Sequence, residues 1–287
     1  MLANTQLRRV DLHMHTLHSD GSLSTRELVT LARSKNLSCI ALTDHDTVSG
    51  VDEACNVGKE LGVEVIPGIE ISAIFEPGTM HILGYFLDPT NSELLAGLAP
   101  IQNARSERNP KIIQKLRELG IDITLEEVEK VSGGDQVGRP HFARVLIDKG
   151  YAKASKEVFA KYLGKGCPAY VDKRRVTSKQ AIDLIHKAGG VASLAHPKQL
   201  KVPHGEHFER EIAKLKEEGL DGIEVFSSSQ NSEESAYYLK IAKQFDLVVT
   251  GGSDFHGSHK PGIELGWMGS GVHLYYDTIE RLRARIR

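Results

Sequence analysis

Cysteine is nearly missing from this sequence. Cys39, Cys55 and Cys167 are the whole set, odd in number, far apart and never in CxxC spacing. That excludes a disulfide framework and a thiolate zinc site, and leaves the three as packing residues. Long apolar runs are missing too. No stretch approaches the roughly 18 to 20 apolar residues that span a bilayer. Residues 1–9 hold no apolar core of signal-peptide length, so a cytoplasmic protein is expected. Neither sign of charge dominates: 36 Lys and Arg stand against 38 Asp and Glu, a net charge of −2. Without a global basic field, stable duplex nucleic-acid binding is not expected, and a polyanion has to be gripped locally. Low-complexity segments and internal repeats are absent beyond a strand–helix alternation.

What the chain does have is histidine, 13 residues of it, set in an α/β pattern. Residues 10–15 read as a strand, so His13 and His15 share one face while Leu12 and Met14 face a packed layer. Thr16, Ser19, Asp20 and Gly21 end that strand and put both imidazoles at its mouth. Ser24 and Glu27 form a capping box that opens a helix. Residues 39–43 are a second strand, closed by Asp44-His45-Asp46. A helix over residues 51–61 leads to a third strand, 63–72, which carries Glu70, and residues 80–86 with His81 are a fourth. This alternation argues for a parallel sheet, and residues gathered from several strand ends suit a barrel-like closure.

Between residues 90 and 175 the rhythm changes. Helical patterns over 101–119, after the capping box at Thr124 and Glu127, and over 139–149 and 156–163 follow one another without a strand. This reads as an inserted helical subdomain, with the barrel built from residues 8–89 and 176–287. Residues 101–165 hold 13 Lys and Arg against 9 Asp and Glu, so the insertion is the basic part of the chain. The alternation then resumes with a capping box at Thr177 and Gln180, a strand over 191–195 ending in His196, and helices predicted over 211–218 and 232–245. Strands over 221–226 and 247–252 complete it, the last followed by Asp254 and His256.

Nine candidates thus sit at or near strand ends: His13, His15, Asp20, His45, Glu70, His81, His196, Asp254 and His256. Singly, His81 or His196 would read as an ordinary core histidine; jointly the nine exceed what one ion can use. With four to six ligands per ion and a shared carboxylate, they suit two or three divalent cations. Mixed nitrogen and oxygen donors without sulfur favour Mn2+, Fe2+ or Zn2+ over calcium or Cu(I).

The stretches DLHMHTLHSDG, LTDHDT, GIEIS, HILGY, AHP and SDFHG, in this order, resemble the motifs of the PHP (polymerase and histidinol phosphatase) superfamily of metal-dependent phosphoesterases. Within it the sequence is most similar to bacterial nucleoside 3′,5′-bisphosphate phosphatases, also described as 5′-to-3′ exoribonucleases acting on short RNA. The resemblance implies a distorted (βα)7 TIM-like barrel with an inserted lid and a manganese-first metal centre. It implies that His13, His15, Glu70 and Asp254 hold one ion, Glu70, His81 and His196 a second, and Asp20, His45 and His256 a third. A metal-bridging hydroxide, rather than a side chain, is then the expected nucleophile. Asp44 is a candidate for orienting His45 or another ligand from behind.

Substrate choice is expected to come from the insertion. Arg105 and Arg108 lie i, i+3 on one helix face beside Asn109, and Arg139 and His141 open another helix. Arginine's planar fork and a helix N-terminus both suit phosphate oxygens. The resemblance points the same way, to a nucleoside bisphosphate or a short oligoribonucleotide as substrate. Competing readings are a small-metabolite phosphatase of the histidinol-phosphate type, a non-catalytic PHP module, and an amidohydrolase cleaving a C–N bond.

Overall fold

In a computed structural model, which describes residues 8–134, 136–269 and 271–287, the apolar runs become the strands of a nearly closed barrel. The strands are β1 (Arg9–Asp11), β2 (Cys39–Leu42), β3 (Glu64–Ala73), β4 (Met80–Tyr85), β5 (Val191–Leu194), β6 (Gly222–Ser227), β7 (Val248–Gly252) and β8 (Leu274–Tyr275), in the spatial order 7-6-5-4-3-2-1-8. Beyond Asp11 the chain stays extended and closes the ring. Leu12 N–H donates to Gly251 O (3.3 Å), Asp254 N–H to His13 O (2.9 Å) and His15 N–H to Phe255 O (2.9 Å). At the opposite end of β1, the short β8 pairs antiparallel with Arg9 and Val10.

The expected all-parallel sheet is corrected at one strand. β4 runs antiparallel to both β3 and β5, while the pairs β1–β2, β2–β3, β5–β6 and β6–β7 are parallel. The cause is the length of the connection. Only residues 74–79 lie between β3 and β4, and a parallel crossover needs a dozen residues or more.

Helices cover the barrel: α1 (Thr25–Ser34), α2 (Val51–Leu61), α7 (Ser178–Lys187), α8 (Glu206–Glu217), α9 (Ser232–Gln244) and α10 (Asp277–Arg283). The capping boxes at Ser24 and Thr177 form as expected. The remaining helices, α3 (Ser92–Glu118), α4 (Leu125–Ser132), α5 (Arg139–Asp148) and α6 (Ser155–Val158), follow one another between β4 and β5. α3 starts nine residues before the predicted residue 101 because Asn91 caps it, its side chain accepting from Leu94 N–H. α8 likewise starts at Glu206 rather than 211. The helix expected over 156–163 is divided into α6 and a π-helical turn, Phe159–Leu163.

α3 is shared between two cores. Leu94, Leu98 and Ile101 pack with the barrel side chains. Ile112, Ile113 and Leu116 instead join a separate cluster with Ile123, Phe142, Leu146, Leu163 and Ala169. One continuous helix therefore carries the chain from barrel to outer layer. Among the described residues no helix is long and apolar enough to cross a membrane.

Candidate metal centre

The barrel closure brings all nine sequence candidates to one mouth. His13 and His15 lie on the extended chain after β1, His45 follows β2, His196 follows β5, and Asp254 and His256 follow β7. Glu70 sits within β3 and faces the interior, fully buried. His81 differs from the strand-end pattern expected for it: it is the second residue of β4. Because β4 is reversed, its beginning lies where the other strands end.

Glu70 is the hub. Its Oε2 lies 3.2 Å from His13 Nε2, 3.3 Å from His15 Nε2 and 3.0 Å from His45 Nδ1. Its Oε1 lies 2.8 Å from His81 Nδ1 and 2.9 Å from His196 Nε2. Asp254 Oδ1 faces His15 Nε2 (3.5 Å) and His13 Nε2 (3.7 Å). Asp20 faces His256 Nε2 (3.3 Å) and the far nitrogens of His45 and His15 (3.8 Å each). Four overlapping sets emerge: His15-Asp20-His45-His256, His13-His15-Asp254, His13-Glu70-His196 and His45-Glu70-His81.

These donors fit cations. His13 Nε2, His15 Nε2, His45 Nδ1, His196 Nδ1 and Glu70 Oε2 are buried without a hydrogen-bond partner, an arrangement costly to leave uncompensated. Ligand atoms about 2.0–2.2 Å from a shared ion lie roughly 3 to 3.5 Å apart, the spacing seen around Glu70. Burial alone would favour neutral carboxyls. Against it, His45, His13 and His81 hold Glu70 well below the usual range, His45 and His256 do so for Asp20, and Lys260 and His13 for Asp254. Burial pulls His81 down to about 4 against the attraction of Glu70. His15, also buried, is instead raised to about 9 by Asp254 and Glu70.

Two supporting carboxylates escaped the sequence reading. Glu224, inside β6 and fully buried, accepts from His13 Nδ1–H (2.9 Å) and from His196 N–H (2.6 Å). It thereby turns His13 Nε2 toward Glu70. Its signal was available: an acidic residue in the apolar run Ile223-Glu224-Val225. Asp11 accepts from His13 N–H (3.3 Å), Ser253 N–H (2.9 Å) and Gly266 N–H (2.7 Å), joining the two ligand-bearing segments, while burial pushes its pKa up. Asp44 accepts from Thr16 N–H (2.8 Å), Thr16 Oγ–H (2.6 Å) and Ser19 Oγ–H (2.5 Å). Its contacts therefore pin the turn that carries Asp20 rather than reaching His45.

A cleft of about 640 Å³ opens over the centre, and Arg105, Arg108, Arg139, Lys173 and Arg175 line it together with His45, Glu70, His81, His196 and Asp254. Arg105 Nη2–H donates to Asp46 (2.6 Å). Arg108 donates to Asn109 Oδ1 (2.8 Å from Nη2). Arg139 lies between the rings of Phe159 and Tyr170 and donates to Leu163 O (3.2 Å). Asn109 and His141 do not line this cleft. Asn109 faces a second cavity behind α3. His141 Nδ1 accepts from Gly138 N–H (3.0 Å), and its ring meets that of His259. His259, read from sequence as a solvated or capping residue, lines the cleft and donates to Asp20 O (3.0 Å). Lys173 was likewise passed over.

A PHP domain model matches residues 11–166. The chain is 36% identical to a 5′-3′ exoribonuclease of Haemophilus influenzae, covering 93% of this chain and 94% of that one. It is 33% identical to a 3′,5′-nucleoside bisphosphate phosphatase of Chromobacterium violaceum, covering 91% of each. It is also 31% identical to a phosphoribosyl 1,2-cyclic phosphate 1,2-diphosphodiesterase of Eggerthella lenta, over 86% of this chain and 94% of that one. A crystal structure of a protein from Bifidobacterium adolescentis, named a metal-dependent phosphoesterase, superposes with a TM-score of 0.86 at 31% identity, covering 97% of this chain and 96% of that one.

Proposed function

The chain belongs to the PHP domain family of metal-dependent phosphoesterases, and from that premise we propose that it removes the 3′-phosphate of nucleoside 3′,5′-bisphosphates and releases nucleotides from the 5′ ends of short RNAs. One observation carries this reading. The cleft that exposes the metal-ligand set is walled by Arg105, Arg108, Arg139, Lys173 and Arg175. A substrate with one phosphate would leave that wall without an anion to meet, whereas a second phosphate matches it. The names borne by the relatives from Haemophilus influenzae and Chromobacterium violaceum support the same substrate class.

His13, His15, Glu70 and Asp254 would hold one ion, Glu70, His81 and His196 a second, and Asp20, His45 and His256 a third. The two oxygens of Glu70, each facing two or more imidazoles, support the shared role of that carboxylate. When bound, divalent ions there, Mn2+ first and Fe2+ or Zn2+ as alternatives, supply Lewis acidity toward phosphoryl oxygens and activate water near neutral pH. The chain's own task is alignment. Glu224 fixes the His13 tautomer, Asp44 and Asp11 brace the ligand-bearing loops, and the helical segment of residues 90–175 serves as the substrate lid.

Protein loaded with Mn2+ and given adenosine 3′,5′-bisphosphate is expected to yield inorganic phosphate and adenosine 5′-monophosphate. Its kcat/KM should lie well above that for adenosine 3′-monophosphate. Equal values for the two substrates would overturn the two-phosphate reading and favour a small-metabolite phosphatase.

A further inference from the structure

Next to the metal ligand His45, the chain turns through Asp46 with a φ of 57°, and this buried carboxylate lies between two parts of the molecule. Toward the barrel it is rigidly tied. Asp46 N–H donates to Glu70 O (2.9 Å), and Asp46 Oδ1 accepts from Ser72 N–H (2.7 Å). Toward the helical layer it meets two cations from segments far apart in sequence. Asp46 Oδ2 accepts from Arg105 Nη2–H (2.6 Å), on α3, and from Lys173 Nζ–H (2.8 Å), on the chain returning to the barrel. Lys173 also donates to Ser72 Oγ (3.1 Å).

The charges in this cluster do not balance. One carboxylate faces two cations, and Arg108 adds a third at the same cleft wall. Burial of a surplus charge is unfavourable unless an anion completes it. Donors remain to receive one. Arg105 Nε is buried without a partner, and Arg105 and Lys173 both line the cleft that exposes Glu70. Arg139 and Arg108 are more committed, the first to Leu163 O and two aromatic rings, the second to Asn109.

We propose that Lys173 and Arg105 are the pair that recognises the second, non-reacting phosphate, and that Asp46 is a positioning residue that sets the distance between this pair and the metal centre. The proposal rests on the two-phosphate reading given above and names the residues that carry it. Asp46 acts through geometry: its backbone is bonded to the strand that carries Glu70, so the pair is referenced to the same strand as the central metal ligand. Substrates are then sorted by the separation of their two phosphates. Burial, reinforced by the Arg105 charge, pulls the Lys173 ammonium down to about 7, consistent with a cation whose anionic partner is the substrate.

The test compares adenosine 3′,5′-bisphosphate with adenosine 3′-monophosphate, which share base and leaving group, in the Mn2+-loaded wild type and in Asp46→Asn, Lys173→Met and Lys173→Arg. The readout is the ratio of the two kcat/KM values. In Asp46→Asn and Lys173→Met the ratio is expected to fall by about tenfold or more, the worth of a lost charged hydrogen bond, with the change in KM rather than kcat. Lys173→Arg, which keeps the charge, should stay within about threefold of the wild-type ratio, well short of that loss. A wild type with a high ratio that Lys173→Met preserves overturns this assignment while leaving the two-phosphate reading intact. A wild-type ratio near one overturns both. Lys173→Met decides the matter if Asp46→Asn disturbs folding or metal loading.

Discussion

Glu224 is a single residue whose effect lies one bond away from the chemistry. It holds His13 Nδ1–H at 2.9 Å and His196 N–H at 2.6 Å, so its charge favours the tautomer that presents Nε2 to an ion. Glu224→Gln keeps the volume and removes the charge. Metal affinity is expected to fall by about tenfold, the lower end of what loss of such an outer partner costs. Competition with a fluorescent chelator measures it; an unchanged affinity would show that the carboxylate serves packing alone. The contrast with Asp44 is instructive. Both were open to a supporting role, but Asp44 spends its oxygens on Thr16 and Ser19, a distinction set by side-chain direction and therefore hidden from sequence spacing.

At the scale of elements, two departures from a regular strand–helix alternation shape the site. The short connection over residues 74–79 reverses β4 and brings His81 to the mouth. α3 runs on past the barrel and takes Arg105 and Arg108 to the cleft wall. The outer layer into which it runs has its own apolar cluster, with Phe142 fully buried in it. Phe142→Ala should cost about 3–5 kcal/mol of stability in that layer, the usual effect of emptying a buried aromatic site. Chemical denaturation followed by circular dichroism should show it; a loss below about 1 kcal/mol would mean that the layer collapses around the cavity at little cost. Capping boxes at Ser24, Thr124 and Thr177 were legible because they are local. The start of α3 was missed because Asn91 caps it without an N3 acidic partner, Leu94 occupying that position.

For the whole molecule, the centre is a concentration of buried polar atoms that cations complete, so metal and fold should be linked. At a hundredfold excess over Kd, each bound ion adds about 2.7 kcal/mol, on the order of 5 °C in Tm for a chain of this size. Stripping metal with a chelator should lower Tm by at least that amount. The gain on reloading should be larger at pH 8 than at pH 6. Without the ion, burial opposes protonation of His15, but Asp254 and Glu70 raise it to about 9; that proton stabilises the ion-free fold fully below the ordinary pKa of 6.5 and progressively less as pH rises toward 9. The ion must displace it. A Tm gain independent of pH would argue that His15 is not a ligand.

The sequence by itself determined the identities of the nine donor residues, the α/β pattern and the basic character of the helical segment. Each of these is chemistry or local periodicity, and both are written in neighbouring residues. Only the tertiary structure decided which imidazole faces which oxygen of Glu70, that β4 is reversed, and that Glu224, Lys173 and Asp46 join the site. Those depend on barrel closure, which juxtaposes side chains as distant in the chain as His13 and Glu224, and no local pattern encodes the direction in which a side chain meets a partner two hundred residues away.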